Sequence, residues 1–267
     1  MSIVRFVRAA LVAIALVVAL AAALIGPAAA RPLPTVVLVH GAFADTTSWD
    51  AVAAELRGRG YTVVVPANPL RGPAYDAAAI EKTLAGISGP VVLVGHSYGG
   101  AVITNTHNSN VEALVYVAAF APAQGEPVQL GLDPIRFPGS QLLPPVLQVG
   151  VVDDAQGIGG KNLDGYIAAD AFHRVFAPDV DAATAAIMLA HQRSIAVWAN
   201  LEPSGPPSWS NTPSWSVIPT GDNIIPPASQ RFMAGRIGAQ TTEVTASHAV
   251  LVSQPVTVAD IIAAAGS

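Results

Sequence analysis

Ser97 is the residue on which chemistry can be built. It stands in Gly95-His96-Ser97-Tyr98-Gly99, directly after the apolar run Val91-Val92-Leu93-Val94 and directly before Gly99-Gly100-Ala101. A buried strand, a sharp turn and a helix start, in that order, make a nucleophile elbow; glycines two residues to either side of the serine remove Cβ atoms that would collide there. The plain alternative is an ordinary Gly-Ser turn, which the strand before and the helix start after it argue against. A serine hydroxyl is a poor nucleophile near neutral pH. It needs a base within hydrogen-bond reach, and that base needs a third group to fix its tautomer. The chemistry such a set supports is attack on a carbonyl carbon.

Those groups have to be delivered by the ends of other elements. Apolar strands are expected at Thr35–Val39, Tyr61–Val65, Val91–Val94, Val111–Ala118, Ser214–Thr220 and Thr241–Thr245. Helices are expected at Trp49–Leu56, with Ser48 as candidate cap, at Asp76–Ile87, with Asp76 as candidate cap, and at Tyr98–Thr106, Pro226–Arg236 and Val256–Ala264. Strands alternating with helices of this length imply right-handed crossovers and a parallel sheet covered on both faces. From about residue 121 to 213 the rhythm breaks into Pro/Gly-rich loops around helical patterns at Leu163–Phe176 and Ala182–Trp198. We read this stretch as a mostly helical cap inserted over the mouth of the sheet. A separate second domain is the alternative, but two helices without strands would bury too little on their own. Gly157-Ile-Gly-Gly-Lys161 has the wrong spacing for a phosphate loop and reads as a loop.

Composition narrows the partners. The 267 residues are 52% hydrophobic and 12% charged and contain no cysteine, which excludes disulfides, thiolate metal sites and a thiol nucleophile. Met1–Arg8 carries two arginines, Ala9–Ile25 is an unbroken apolar run, and Ala28-Ala29-Ala30 follows Gly26-Pro27. This is the pattern of a secretory signal peptide over 1–30, with an uncleaved membrane anchor as the alternative. Cleavage after Ala30 leaves 11 basic and 18 acidic residues, a net charge of −7. A mildly acidic chain without Lys/Arg clusters argues against nucleic acid as a partner.

The order of parts resembles the α/β-hydrolase superfamily: a His-Gly turn after the first strand, the Gly-His-Ser-Tyr-Gly elbow, a capping insertion, then an acid and a histidine after the last two strands. The phrases His40-Gly41-Ala42-Phe43-Ala44-Asp45, Phe172-His173-Arg174-Val175-Phe176 and Ala246-Ser247-His248-Ala249-Val250 resemble small bacterial esterases related to the plant methylesterase and hydroxynitrile lyase group. The resemblance implies a six-stranded, all-parallel core sheet flanked by helices. It also implies a Ser, acid, His order, which selects His248 as base among six histidines, since only His248 follows a late strand. Asp222, just past the strand ending near Thr220, is the expected acid; the strand ending at Ala118 offers no carboxylate before Glu126. The backbone N–H groups of Ala42 and Tyr98 are the expected oxyanion donors, with Phe43 as alternative to Ala42. Phe43, Tyr166, His173 and Trp198 are candidate pocket walls. Serine hydrolysis of small, short-chain or aryl esters, without metal or organic cofactor, is the function implied. The lyases carry threonine where this chain has Gly41 and lysine where it has Ala249; a non-catalytic binding protein on the same scaffold stays open.

Overall fold

Continuous apolar runs, buried on both faces, decide the centre of the fold. The computed structural model describes residues 32–267; the expected signal peptide, residues 1–30, lies outside the described residues. In chain order the elements are β1 (Thr35–Val39), α1 (Asp50–Gly58), β2 (Val63–Val64), α2 (Pro73–Leu84), β3 (Val91–His96), α3 (Gly99–Thr104), β4 (Val111–Val117), β5 (Leu147–Ile158) and β6 (Lys161–Ile167). There follow α4 (Ala169–Phe176), α5 (Ala182–Ala190), β7 (Ile195–Ala196), β8 (Ser214–Pro219), α6 (Pro227–Arg236), β9 (Gln240–Val244), α7 (Val250–Ser253) and α8 (Pro255–Ala265).

Six strands form one all-parallel sheet in the order β2-β1-β3-β4-β8-β9. Val37, Leu93 and Leu114 point into one core with Ile80 and Leu84 of α2 and Ala101 of α3. Their neighbours Val36, Val92 and Val115 point into a second core with Leu56 of α1 and Ile262 of α8. Each fully buried Val or Leu contributes about 1.5–3 kcal/mol of transfer free energy, so truncating a central one such as Leu93 to alanine costs about 2–5 kcal/mol. The sheet is therefore rigid at its centre, and its carboxyl edge is a fixed platform.

Two helix starts differ from expectation. Ser48 does not cap α1, whose N-cap position is Trp49 and has no side-chain bond; Asp45 instead caps the short turn Thr46–Trp49 that precedes it, its carboxylate accepting from the Thr47 N–H. Helix α2 begins three residues earlier than expected, after Gly72, because Pro73 is pre-set for a first helical position. That places Asp76 inside the helix, where its buried carboxylate reaches back to the Arg71 N–H at 3.0 Å.

The insertion is not mostly helical, which corrects the expectation of a cap without strands. Strands β5 and β6 form a long antiparallel hairpin, and β7 pairs with β6. Only Ala169–Phe176 of the first expected helix is helical, and the second ends at Ala190. The residues Gly159 and Gly160 supply the positive φ that the hairpin turn needs. The hairpin is tied to the core by Arg71, whose guanidinium forks onto both oxygens of buried Asp164 at 2.7 Å and reaches Asp154 at 3.1 Å. Burial pushes the Asp164 carboxyl up, and the hydrogen bonds from Arg71 and Ser194 more than reverse it, so it lies below the usual range.

Candidate active site

Ser97 occupies the turn between β3 and α3 with φ +53°, a left-handed conformation that a non-glycine residue adopts at a cost of about 1–3 kcal/mol. The fold holds it there. Its N–H donates to the Val117 carbonyl at 3.1 Å, and its own carbonyl accepts from Gly100 and Phe120. Gly95 has to be glycine, since a Cβ there would lie 2.5 Å from the Gly99 carbonyl oxygen.

The carboxyl ends of three strands bring Ser97, Asp222 and His248 together. Ser97 Oγ lies 2.9 Å from His248 Nε2, and His248 Nδ1 lies 2.8 Å from Asp222 Oδ2. All three side chains are buried. Because a carboxylate only accepts, Nδ1 carries the proton and Nε2 is left as the lone pair facing the hydroxyl. Asp222 is fully engaged: Oδ1 accepts from the Ile224 and Ile225 N–H groups at 2.8 and 2.9 Å, and Oδ2 also accepts from Gln230 Nε2 at 2.8 Å.

Two further histidines frame this set without entering it. Burial holds the His96 ring well below its ordinary pKa, so it is neutral, and its Nε2–H donates to the His248 carbonyl at 3.0 Å. Burial likewise lowers His40, whose Nδ1–H donates to the Gly41 carbonyl at 2.9 Å while Nε2 accepts from the Asn68 N–H at 3.0 Å. Each neutral ring fixes a stretch of backbone that the site depends on: the His248 loop and the His-Gly turn.

The residues that carry the two expected donor groups share a cavity wall with the serine. Ala42, Tyr98 and Ser97 line one cavity of about 310 Å³, and neither the Ala42 nor the Tyr98 N–H has an acceptor among the described residues. The alternative donor is spent, since the Phe43 N–H donates to the Arg193 carbonyl of the cap at 3.1 Å. The remaining wall is mostly apolar, with Phe120, Leu142, Leu147 and Ile224 among its residues, and Gln129, Ser140 and Asn200 add polar groups. Of the four candidate pocket residues only Phe43 lines this cavity. Tyr166 and Trp198 are partly exposed on the cap, and His173 sits on the outer side of α4, bonded to the Val180 carbonyl; none of these three reaches Ser97. They were misplaced because the hairpin reorients the segments that carry Tyr166 and Trp198, and because the buried face of α4 is Phe172, Val175 and Phe176.

Sequence reasoning missed three supports. Gln230 holds Asp222; it sits one turn into α6, a position that a search for donors near the acid could have found. The Asp179 carboxylate accepts from the Ser247 N–H at 2.8 Å, and from the Ser247 and Ser253 hydroxyls, pinning the loop of His248 from the cap side. Asp76 accepts from the Tyr98 hydroxyl at 2.8 Å, beneath the elbow. Burial pushes its carboxyl up to about 6. Among the described residues no cluster of His, Cys, Asp or Glu is placed to hold a metal ion.

A family model for the alpha/beta hydrolase family matches residues 36–261. The chain belongs to that family. A carbendazim hydrolyzing esterase of Nocardioides sp. strain SG-4G is 33% identical over 105 residues, which is 34% of this chain and 43% of the relative; the chain thus matches less than half of that protein's length. The solved structure of a pyrethroid hydrolase from Sphingobium faniae JZ-2 superposes with TM-score 0.71 at 22% identity, covering 87% of this alpha/beta hydrolase and 97% of that chain. Polyneuridine aldehyde esterase superposes with TM-score 0.72 at 16% identity, covering 86% and 98%. At such identities the two structures establish the shared fold.

Gly41 bears on the lyase branch. A Cβ at this position would lie 2.6 Å from the Ser97 Cβ and 2.8 Å from the His96 carbonyl oxygen, so the threonine of the lyases does not fit this backbone.

Proposed function

We propose that this alpha/beta hydrolase is a serine carboxylic ester hydrolase working through an acyl-enzyme, with Ser97 as nucleophile, His248 as general base and acid, and Asp222 as its orienting carboxylate. The observation that carries the reading is the unbroken hydrogen-bonded line from Asp222 through His248 to Ser97 Oγ, ending on a mostly apolar cavity beside two N–H groups that have no partner among the described residues. The esterase and hydrolase names of the similar proteins agree with it.

In this mechanism His248 Nε2 takes the hydroxyl proton as Ser97 Oγ bonds to the ester carbonyl carbon. The negative charge moves to the carbonyl oxygen, where the Ala42 and Tyr98 N–H groups meet it; one such donor is worth about 3 kcal/mol of barrier. The imidazolium, stabilised by Asp222, passes its proton to the leaving alcohol as the carbon–oxygen bond breaks. A water deprotonated by the same nitrogen then releases the acid and restores Ser97. The cavity supports esters with at least one small or aryl half, since about 310 Å³ sits at the lower end of ligand-pocket volumes. Export is proposed on residues 1–30 of the sequence alone.

Turnover of p-nitrophenyl acetate tests the reading. Wild type is expected to hydrolyse it and Ser97→Ala to lose the activity, whereas a scaffold that only binds ligands would show no turnover in either.

A further inference from the structure

The strand face that closes the cavity does not end at its mouth. Leu147 and Val149 of β5, with Gly165 and Ile195 across the sheet, line the cavity, and Val149 is already 55% exposed. Side chains two apart share a face, so the next residue on this one is Val151, which pairs with Leu163 as Val149 pairs with Gly165. Val151 is 72% exposed and, with Leu163 and Trp198, lines a shallow depression of about 400 Å³ on the outer cap. The first charged residues on this face are Asp153 and its cross-strand partner Lys161, which form an ion pair with each other and close the apolar strip. Arg71, at the rim of the depression, is already held by Asp154 and Asp164. Gln156 and Asn162 add polar groups at its far end, so the depression offers an apolar strip beside the cavity and, with Lys161 also paired, no unpaired cation.

We infer that this outer face of the hairpin is a binding track for the larger, uncharged apolar half of the ester, the smaller half lying in the cavity beside Ser97. The inference rests on the ester-hydrolase reading. An ester has two halves that diverge at the reacting carbon, and when one of them is bulky a cavity of about 310 Å³ holds only the smaller. The other half has to leave through the mouth, where it meets an apolar surface continuous with the cavity wall. Apolar area exposed in this way marks a binding surface when a polar rim bounds it, as the Asp153–Lys161 pair does here. The substrate class is thus an ester that is small on one side and bulky and apolar on the other.

Two ester series test this, one enlarged on the acyl side from ethyl acetate to ethyl dodecanoate and one on the alcohol side from ethyl butanoate to dodecyl butanoate, with p-nitrophenyl acetate as the reference. In the wild type kcat/KM is expected to rise with size along one series. Val151→Asp is expected to lower it about tenfold for the largest member of that series, and Trp198→Ala about threefold, while p-nitrophenyl acetate changes less than twofold in both. A wild-type fall with size in both series, or variants that track the wild type, overturns the inference and leaves the hydrolase reading standing. A wild-type dimer in light scattering that Val151→Asp dissociates also overturns it, because a second copy would then cover the face. Failure of the wild type to turn over p-nitrophenyl acetate overturns the hydrolase reading, and this one with it.

Discussion

The two walls of the active-site cavity are built on opposite principles. On the sheet side the groups that place the chemistry are held in position: Asp222 accepts four hydrogen bonds, two neutral histidines hold the neighbouring backbone, and a left-handed serine is fixed between buried strands. On the cap side Val149 and Val151 of the hairpin and Trp198 just after β7 are exposed, and the ion pairs of Arg71 tie the hairpin down. Chemistry that needs placement within tenths of an ångström is on the rigid wall, and recognition of an apolar group, which tolerates looser fit, is on the other.

That contrast can be broken most severely at the rigid wall. Asp222→Asn keeps the shape but favours the wrong His248 tautomer, and kcat is expected to fall about 10⁴-fold with little change in KM. A fall confined to KM would remove the distinction between the walls. Arg71→Met leaves the carboxylate of Asp164 buried and unpaired, which is expected to cost about 3–5 kcal/mol in denaturant unfolding, with kcat at saturating ester changed less than kcat/KM for large esters.

A third variant sharpens the comparison through pH. Asp76 lies beneath the elbow with its carboxyl pushed from 3.8 to about 6 by burial. A carboxyl raised on folding binds its proton more tightly in the native state, so its contribution to stability is full below pH 4 and is lost as pH rises through about 6. Asp76→Asn removes that loss. The variant should therefore gain stability relative to wild type between pH 4 and pH 7, its unfolding free energy rising by about 3 kcal/mol against that of the wild type. A difference that is flat with pH would contradict the burial argument. The smallest effect is expected at the cap edge, where His191 and Asp45 pair at 2.9 Å in partial exposure; His191→Ala should cost under about 1 kcal/mol.

The same divide explains what could be read in the sequence. The serine position is legible because backbone geometry dictates its surroundings: Gly95 and Gly41 have no room for a side chain, and Val91–Val94 is buried on both faces; Asp222 and His248 are legible only through the order of parts that the family resemblance implies. The expectation of a helical cap overlooks the alternation of Leu147, Val149 and Val151 with Gln148 and Gly150, and the two-residue hairpin signal Gly159-Gly160. Glycines and prolines on either side made that alternation look like loop. Pocket walls were the least legible. Whether Tyr166 or Trp198 faces Ser97 depends on strand register in the cap, and a shift of one residue reverses every side chain.

The central claim is that Ser97 carries the acyl group, and mass spectrometry of the protein after treatment with a fluorophosphonate tests it most directly. A single adduct on the peptide containing Ser97, absent from Ser97→Ala and formed far more slowly in His248→Ala, is the predicted result. An adduct on another residue, or ester turnover that persists in Ser97→Ala, would contradict it.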